Sequence, residues 1–226
     1  MPIELKNLTR EFKRSGSAFR AVDGVNLHIE PGDFVSVIGR SGSGKSTLLN
    51  LLALLLYPTS GTIEVDGQDV SLWKDKEASV YRNSKIGYIP QGQSMLSGLS
   101  VLDNVRAPYH FFNKNGDSTE LAQSLLRQVG ISHLAEAYPK QLSGGEKKRV
   151  AIARALINHP AYVIADEPTG DLDAQTTIEI MGLFKEIAGK GTAVLMVTHE
   201  LDTLDYGSRT FVMDSGVLTE RLADDI

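Results

Sequence analysis

Cysteine is absent from this chain, which removes disulfide frameworks, thiolate metal sites and cysteine nucleophiles from its chemistry and leaves its redox compartment unread. Long apolar runs are absent too. The longest such stretch, Leu48 to Leu56, falls far short of the ~20 residues that a membrane-spanning helix needs. The opening residues MPIELKNLTR carry no apolar block, so no secretory leader is expected, and no regulatory domain is expected after the last strands. An excess of basic charge is lacking as well. With 23 lysines and arginines against 28 aspartates and glutamates, the net charge is −5, so no global positive field draws the chain to nucleic acid or anionic lipid. Nucleic acid is therefore not an expected partner. No internal repeat or low-complexity segment interrupts the 226 residues, a length that suits one large α/β domain with a substantial core. The expectation is a soluble, cytoplasmic chain.

What is present begins with Phe34 to Leu56, FVSVIGRSGSGKSTLLNLLALLL. Phe34, Val35, Val37 and Ile38 make a short apolar run rich in β-branched residues, as in a buried parallel strand. Leu48 to Leu56 is apolar on almost all sides, which predicts a buried helix closed by Pro58. Between them Gly39-Arg40-Ser41-Gly42-Ser43-Gly44-Lys45-Ser46 matches G-x-x-x-x-G-K-[ST] in full. The glycines let the backbone turn its N–H groups inward around an anion. Lys45 reaches the β and γ phosphates, the Ser46 hydroxyl is placed to ligate Mg²⁺, and Thr47 follows on the helix whose N-terminus adds partial positive charge. A Gly/Ser-rich turn before a core helix would by itself need no ligand. The strand, loop and helix context makes this one a phosphate cradle.

Around this stretch the chain changes texture twice. From Ile3 to Ile29, Ile3, Leu5, Val25, Leu27 and Ile29 alternate with polar residues, the pattern of half-buried strands. Phe12 and Phe19 lie in a polar, basic segment. Each reads either as an edge aromatic on the sheet or as a platform for a flat purine ring, and Phe12 is the candidate platform. Thr62 to Val65 and the turn Asp66-Gly67 predict an antiparallel flap, and Ile86 to Ile89 a short strand stopped by Pro90 and followed by Gln91. From Gly92 to Gly145 the pattern is helical. Val101 to Phe112 predicts a helix interrupted near Pro108, and Asp117 with Glu120 predicts a capping box before a stripe of Leu121, Leu125, Leu126 and Val129 that Gly130 ends. A helix from Glu146 to Leu156, a strand over Tyr162 to Ala165, a helix over Ile178 to Ala188, a strand over Ala193 to Thr198 and a closing hairpin at Asp214-Ser215-Gly216 follow. Strands alternating with helices argue for a parallel sheet. The expected division is a core of residues 1–91 and 150–226 with its β flap, and an inserted helical lobe at 92–149.

In an open parallel sheet the ligand sits at the carboxyl ends of the strands, where Gly39, Gln91, Asp166, Glu167 and His199 all fall. Asp166, after an apolar strand, suits the carboxylate that completes a hard-oxygen Mg²⁺ site with Ser46. Glu167 points the other way and is the candidate general base toward the water that attacks the γ-phosphate. Gln91 offers a neutral amide to Mg²⁺ or to that water, and His199 an imidazole N–H to the γ-phosphate. Further along, Leu142-Ser143-Gly144-Gly145-Glu146 opens a helix. A capping box accounts for Ser143 and Glu146 but not for two consecutive glycines, which make a second anion-binding nose.

On these residues the sequence resembles the ATP-binding cassette (ABC) ATPases over nearly its whole length. In the resemblance Leu142 to Gly145 is the LSGG signature, Gly39 to Ser46 the P-loop, Gln91 the Q-loop glutamine, and Asp166 and Glu167 the Walker B aspartate and catalytic glutamate. Gly170-Asp171-Leu172-Asp173 matches the D-loop, His199 the switch histidine and Phe12 the adenine-stacking aromatic. The resemblance implies an α/β P-loop NTPase cassette with a RecA-like parallel core, an N-terminal antiparallel β subdomain and an inserted helical subdomain. It implies ATP and Mg²⁺ as cofactors. It also implies a head-to-tail homodimer in which Ser143, Gly144 and Gly145 of one copy close on the ATP held by the other.

SGSGKSTLLN, Tyr138-Pro139, LSGGE and ADEPTGDLD are most similar to the macrolide-export and lipoprotein-release group. Lys147-Lys148 stands where that group usually has glutamines, and Ala165 is small for its strand position. The implied function is an ATP-hydrolysing subunit of a transporter or mechanotransmission complex, peripheral on the cytoplasmic face of the membrane through a separate integral-membrane permease. Met95, Leu96 and Leu99, taken as exposed beside Gln91, are where its docking helix is expected. The alternative is an ABC-type regulatory ATPase of a cell-division-like membrane complex. A small-molecule kinase would explain the P-loop but not Gly144-Gly145.

Overall fold

The computed structural model describes residues 2–14, 17–92, 94–112 and 116–221. The alternating N-terminal segment forms a long antiparallel pair, β1 (Ile3–Arg14) and β2 (Ser17–Ile29), in which Ile3 faces Ile29 and Leu5 faces Leu27. The apolar positions all fall on one face and are buried. The chain then turns into β3 (Phe34–Ile38), buried at every residue, and through the glycine loop into α1 (Lys45–Leu52). β4 (Ser60–Val65) and β5 (Gln68–Asp69) complete a four-stranded antiparallel sheet of order β2-β1-β4-β5.

α2 (Asp75–Lys85) leads into β6 (Ile86–Ile89). The helical segment follows as α3 (Val101–Phe112), α4 (Thr119–Gln128) and α5 (Gly144–Leu156). β7 (Tyr162–Asp166), α6 (Ala174–Gly189), β8 (Ala193–Thr198), β9 (Arg209–Asp214) and β10 (Val217–Arg221) end the described fold. The second sheet has the order β10-β9-β3-β8-β7-β6, parallel throughout except for β10.

Period-2 alternation on the central strands separates two cores. On β8, Val194 and Met196 face Phe184, Ile180 and Val150 on the helical side, whereas Leu195 and Val197 face Leu48, Leu49 and Ile63 on the α1 side. Each fully buried leucine or phenylalanine contributes on the order of 1.5–3 kcal/mol, so the parallel sheet is held from both faces. Among the described residues no helix is long and apolar enough to cross a membrane.

Several sequence expectations change here. The leucine-rich helix ends at Leu52, not near Pro58: Leu54 takes φ 51, and the N–H groups of Leu55 and Leu56 both fold back to the Asn50 carbonyl. α3 runs unbroken through Pro108, because Val101 and Val105, fully buried, hold it in the helical core although the ring removes one backbone donor. α4 starts at Thr119 with Asp117 outside it, its Oδ1 accepting from the Thr119 N–H at 2.9 Å, an Asx turn in place of a box with Glu120. α5 begins at Gly144, two residues before the expected start, and α6 at Ala174 rather than Ile178. α2 was not expected at all.

Candidate functional site

Parallel strands bring their carboxyl ends to one edge of the sheet. Gly39 follows β3, Gln91 follows β6, Asp166 ends β7 with Glu167 next, and His199 follows β8. The glycine loop is pressed from two sides. A Cβ at Gly44 (φ 113) would lie 2.0 Å from the Ala21 carbonyl oxygen, and one at Gly39 2.2 Å from that of Met213. The turn between β9 and β10 braces it, the Gly216 N–H donating to the Ser43 carbonyl at 2.9 Å. Lys45 is 8% exposed and its ammonium donates to the carbonyls of Gly39 and Arg40 at 2.7 and 2.9 Å. Arg40, Ser41, Gly42 and Ser46 are exposed. The buried Ser43 hydroxyl has no protein partner, an orphaned donor that a phosphate oxygen would satisfy.

Asp166 is 6% exposed and hydrogen-bonded to the Ser46 hydroxyl. Burial pushes its carboxyl above the usual range. Ser46 pulls it back down, Glu167 adds to the rise, and Lys45 and Lys148 oppose it. Among the described residues no cluster of three or more His, Cys, Asp or Glu could hold a metal. Asp166 and Ser46 together offer the hard oxygens of a partial site, the kind that a magnesium ion shares with phosphates and water.

Glu167 is the most heavily held residue in the site. It has φ 47, a conformation that costs a non-glycine residue on the order of 1–3 kcal/mol and persists only where its surroundings over-determine it. Its N–H donates to Val197 O at 2.9 Å, and its carbonyl accepts from Gly170 N at 3.3 Å and from the Lys148 ammonium at 3.1 Å. The Gln91 amide donates to Oε2 at 2.6 Å, and Nδ1 of His199 lies 3.2 Å from Oε1. Three residues proposed from separate strands thus meet at one carboxylate. The Gln91 amide, expected to face Mg²⁺ or the attacking water, donates its N–H to Glu167 in this structure.

The second nose keeps its capping box. The Ser143 hydroxyl accepts from the Glu146 N–H at 3.3 Å while Glu146 Oε2 accepts from the Ser143 N–H at 2.7 Å. The two glycines have different reasons. A Cβ at Gly145 would lie 2.7 Å from the Thr176 methyl at the start of α6, whereas one at Gly144 would meet only Leu172, at 3.6 Å. Gly145 permits close helix packing, and Gly144 keeps the nose open. The cleft that Gly144 lines, with Gln91, Met95, Lys148, Glu167 and Leu172, includes no P-loop residue among the described ones.

Phe12 packs on Phe19, ring centroids 5.8 Å apart and 29° from parallel, with the Arg10 guanidinium 4.8 Å from the Phe12 centroid. Ala21, two residues from Phe19 on β2, touches the P-loop at Gly44, so the aromatic pair flanks the cradle, and Phe19 is its exposed member at 47%. The expected exposed trio beside Gln91 is reduced to Leu96, at 48%. Met95 packs against the helical core and Leu99 is half-buried.

Sequence reasoning missed four contributors. Lys148 was noted as a departure and given no contact. Thr169, fully buried, donates to Glu200 Oε2 at 2.6 Å, and Thr203 donates to the Glu200 carbonyl at 2.8 Å, which fixes the loop carrying His199. Adjacency to Pro168 and His199 was the only signal that Thr169 and Glu200 offered.

The family described as "ABC transporter" matches residues 22–170. The macrolide export ATP-binding/permease protein MacB of Chlorobaculum tepidum is 40% identical over 96% of this chain, which spans only 34% of that relative's length. LolD of Aquifex aeolicus, the ATP-binding protein of a lipoprotein-releasing system, is 41% identical over 88% of this chain and 89% of its own. The dimeric structure of MJ0796, a bacterial ABC transporter cassette, superposes with a TM-score of 0.89 at 38% identity, with 97% of each chain covered. A second dimeric structure of MJ0796, in a post-hydrolysis state bound to ADP and Pi, gives the same TM-score of 0.89. The antiparallel β subdomain, the parallel core and the inserted helical region are those of that fold. The chain belongs to the ABC transporter ATP-binding family and is an ABC-type ATPase cassette.

Proposed function

We propose that this chain is the ATP-driven subunit of a membrane transporter or mechanotransmission complex, acting as a head-to-tail pair of copies on a separate integral-membrane permease at the cytoplasmic face. The observation that carries this reading is the set of contacts on Glu167, whose two carboxylate oxygens are held from two other strand ends by Gln91 and His199. A carboxylate so oriented is suited to accept the proton of an attacking water. Lys45, released from the Gly39 and Arg40 carbonyls, would pair with the β and γ phosphates. Ser46 and Asp166 would hold Mg²⁺, which when bound neutralises phosphate charge. The Phe12–Phe19 pair flanks the cradle where a purine would stack, Phe12 being the platform proposed.

The case for a second copy rests on the nose. Gly144 opens onto a cleft that no described P-loop residue lines, which favours a nucleotide held by another copy as the one that Ser143, Gly144 and Gly145 would touch. In this reading residues 1–91 and 150–226 hold nucleotide and 92–149 present the signature, with α5 continuous across that division. A permease partner is supported by MacB, an ATP-binding/permease protein that is the longer chain of the two.

Glu167→Gln tests the reading. Hydrolysis should slow ~10²–10⁴-fold while ATP still binds and drives dimer formation, measured by light scattering with and without ATP. Parental turnover, or a strictly monomeric ATP-loaded variant, rejects it.

A further inference from the structure

The catalytic reading above leaves Lys148 without a role. It lies four residues after Gly144 on one face of α5, and both line the cleft shared with Gln91 and Glu167. Its ammonium donates to the Glu167 carbonyl at 3.1 Å. That carbonyl belongs to the residue with φ 47. The other backbone ties on Glu167 come from its own turn, through Gly170, and from the neighbouring strand, through Val197. Among the described residues, Lys148 is the tie that reaches it from the helical side. Burial opposes the ammonium, while Asp171, Glu167, Asp166 and Glu200 all favour it, so the charge faces the acidic side of the site.

We propose that Lys148 is a positioning residue for Glu167, tying α5 and its double-glycine nose to the strained turn that carries this chain's own base. The proposal rests on the reading of Glu167 as that base. It has a consequence for a pair of copies. The N-terminal end of α5 touches the partner's nucleotide, while its fifth residue, Lys148, holds the base over the chain's own nucleotide. A shift of α5 on closing then moves both, so the two sites are linked through one helix.

The test compares Lys148→Met, Lys148→Arg and Glu167→Gln in the full chain by steady-state ATP hydrolysis. Lys148→Met keeps the length of the side chain and removes the donor. Its kcat should fall about 10-fold or more through misplacement of the base, with KM for ATP and ATP-driven dimer formation within about twofold of the parent. Lys148→Arg, still a donor, should recover to within about threefold of the parental kcat. Parental kcat in Lys148→Met beside an inactive Glu167→Gln overturns the tie and leaves the base standing. A fall in kcat that brings KM and melting temperature with it, and that arginine does not rescue, marks a packing role and overturns the tie as well. Full turnover in Glu167→Gln removes both.

Discussion

Gln91 donates its side-chain amide to Oε2 of Glu167 at 2.6 Å, across 76 residues of sequence. The contact joins the ends of two neighbouring parallel strands, β6 and β7, paired from Ile86 and Tyr162 to Ile89 and Ala165. With His199 on the other oxygen, the carboxylate has little rotational freedom. Gln91→Ala removes one of the two restraints without touching the nucleotide cradle. Turnover should fall between about 10-fold and 10²-fold, the scale on which misplacement of a reacting group acts, while ATP affinity measured by calorimetry stays near that of the parent. Unchanged turnover would mean that the contact does not orient the base.

Lys45 is buried against two P-loop carbonyls, and the contacts that hold it are also those it must release to meet phosphate. Lys45→Ala therefore has two separable consequences. Without nucleotide, losing a pair of charge-assisted hydrogen bonds should lower stability by about 1–3 kcal/mol. With nucleotide, the parent should gain about 2.7 kcal/mol at a hundredfold excess over Kd, and the variant should gain almost none. Thermal melting with and without ATP reads both. An undiminished ATP-dependent rise in the variant would count against the cradle.

The strand ends were legible because buried parallel strands are spelled by short apolar runs, and a polar residue placed directly after such a run falls at the ligand edge. Gln91, Asp166, Glu167 and His199 were found this way. Their convergence on one carboxylate was not visible, because which oxygen meets which donor depends on the φ of Glu167 and not on residue type. α2 escaped because only Ala78 and Tyr81 of its 11 residues are buried, too few to make a stripe. The helix after the P-loop was overextended because apolar content does not report that Leu54 turns left-handed. Gly145 was assigned to phosphate when Thr176 also demands it, a constraint set by α6 rather than by anything local.

The Glu146 carboxyl is held below its ordinary range, chiefly by the Ser143 backbone N–H and then by the Ser143 hydroxyl. Since folding lowers this pKa, the ionised form contributes stability in full above the unfolded value of ~4.3 and loses it as pH falls through the lower folded value. Glu146→Gln keeps an acceptor for Ser143 but cannot titrate. The variant should be less stable than the parent at about pH 6, with the gap closing as pH falls from the unfolded value through the lowered folded one. Urea midpoints across that range measure it, and a gap that widens on acidification would contradict the assignment.

Lys45 and Ser143 belong to one chain yet are expected to serve different nucleotides, and that separation is open to a mixing experiment. Lys45→Ala disables a chain's own cradle, and Ser143→Arg blocks the nose it lends away. In a mixed pair, the damaged cradle faces the blocked nose, and the intact cradle faces the intact nose. Equal mixing should therefore recover about a quarter of parental hydrolysis, since about half the pairs are mixed and each holds one sound site of two. Were both residues to act within a single chain, neither partner would supply a complete site, and the mixture would stay as inactive as its components. A two-fold pair, in which each copy's nose meets the other's cradle, is the arrangement in which two different lesions on two chains leave one site untouched, so recovery on mixing distinguishes it from a self-contained cassette.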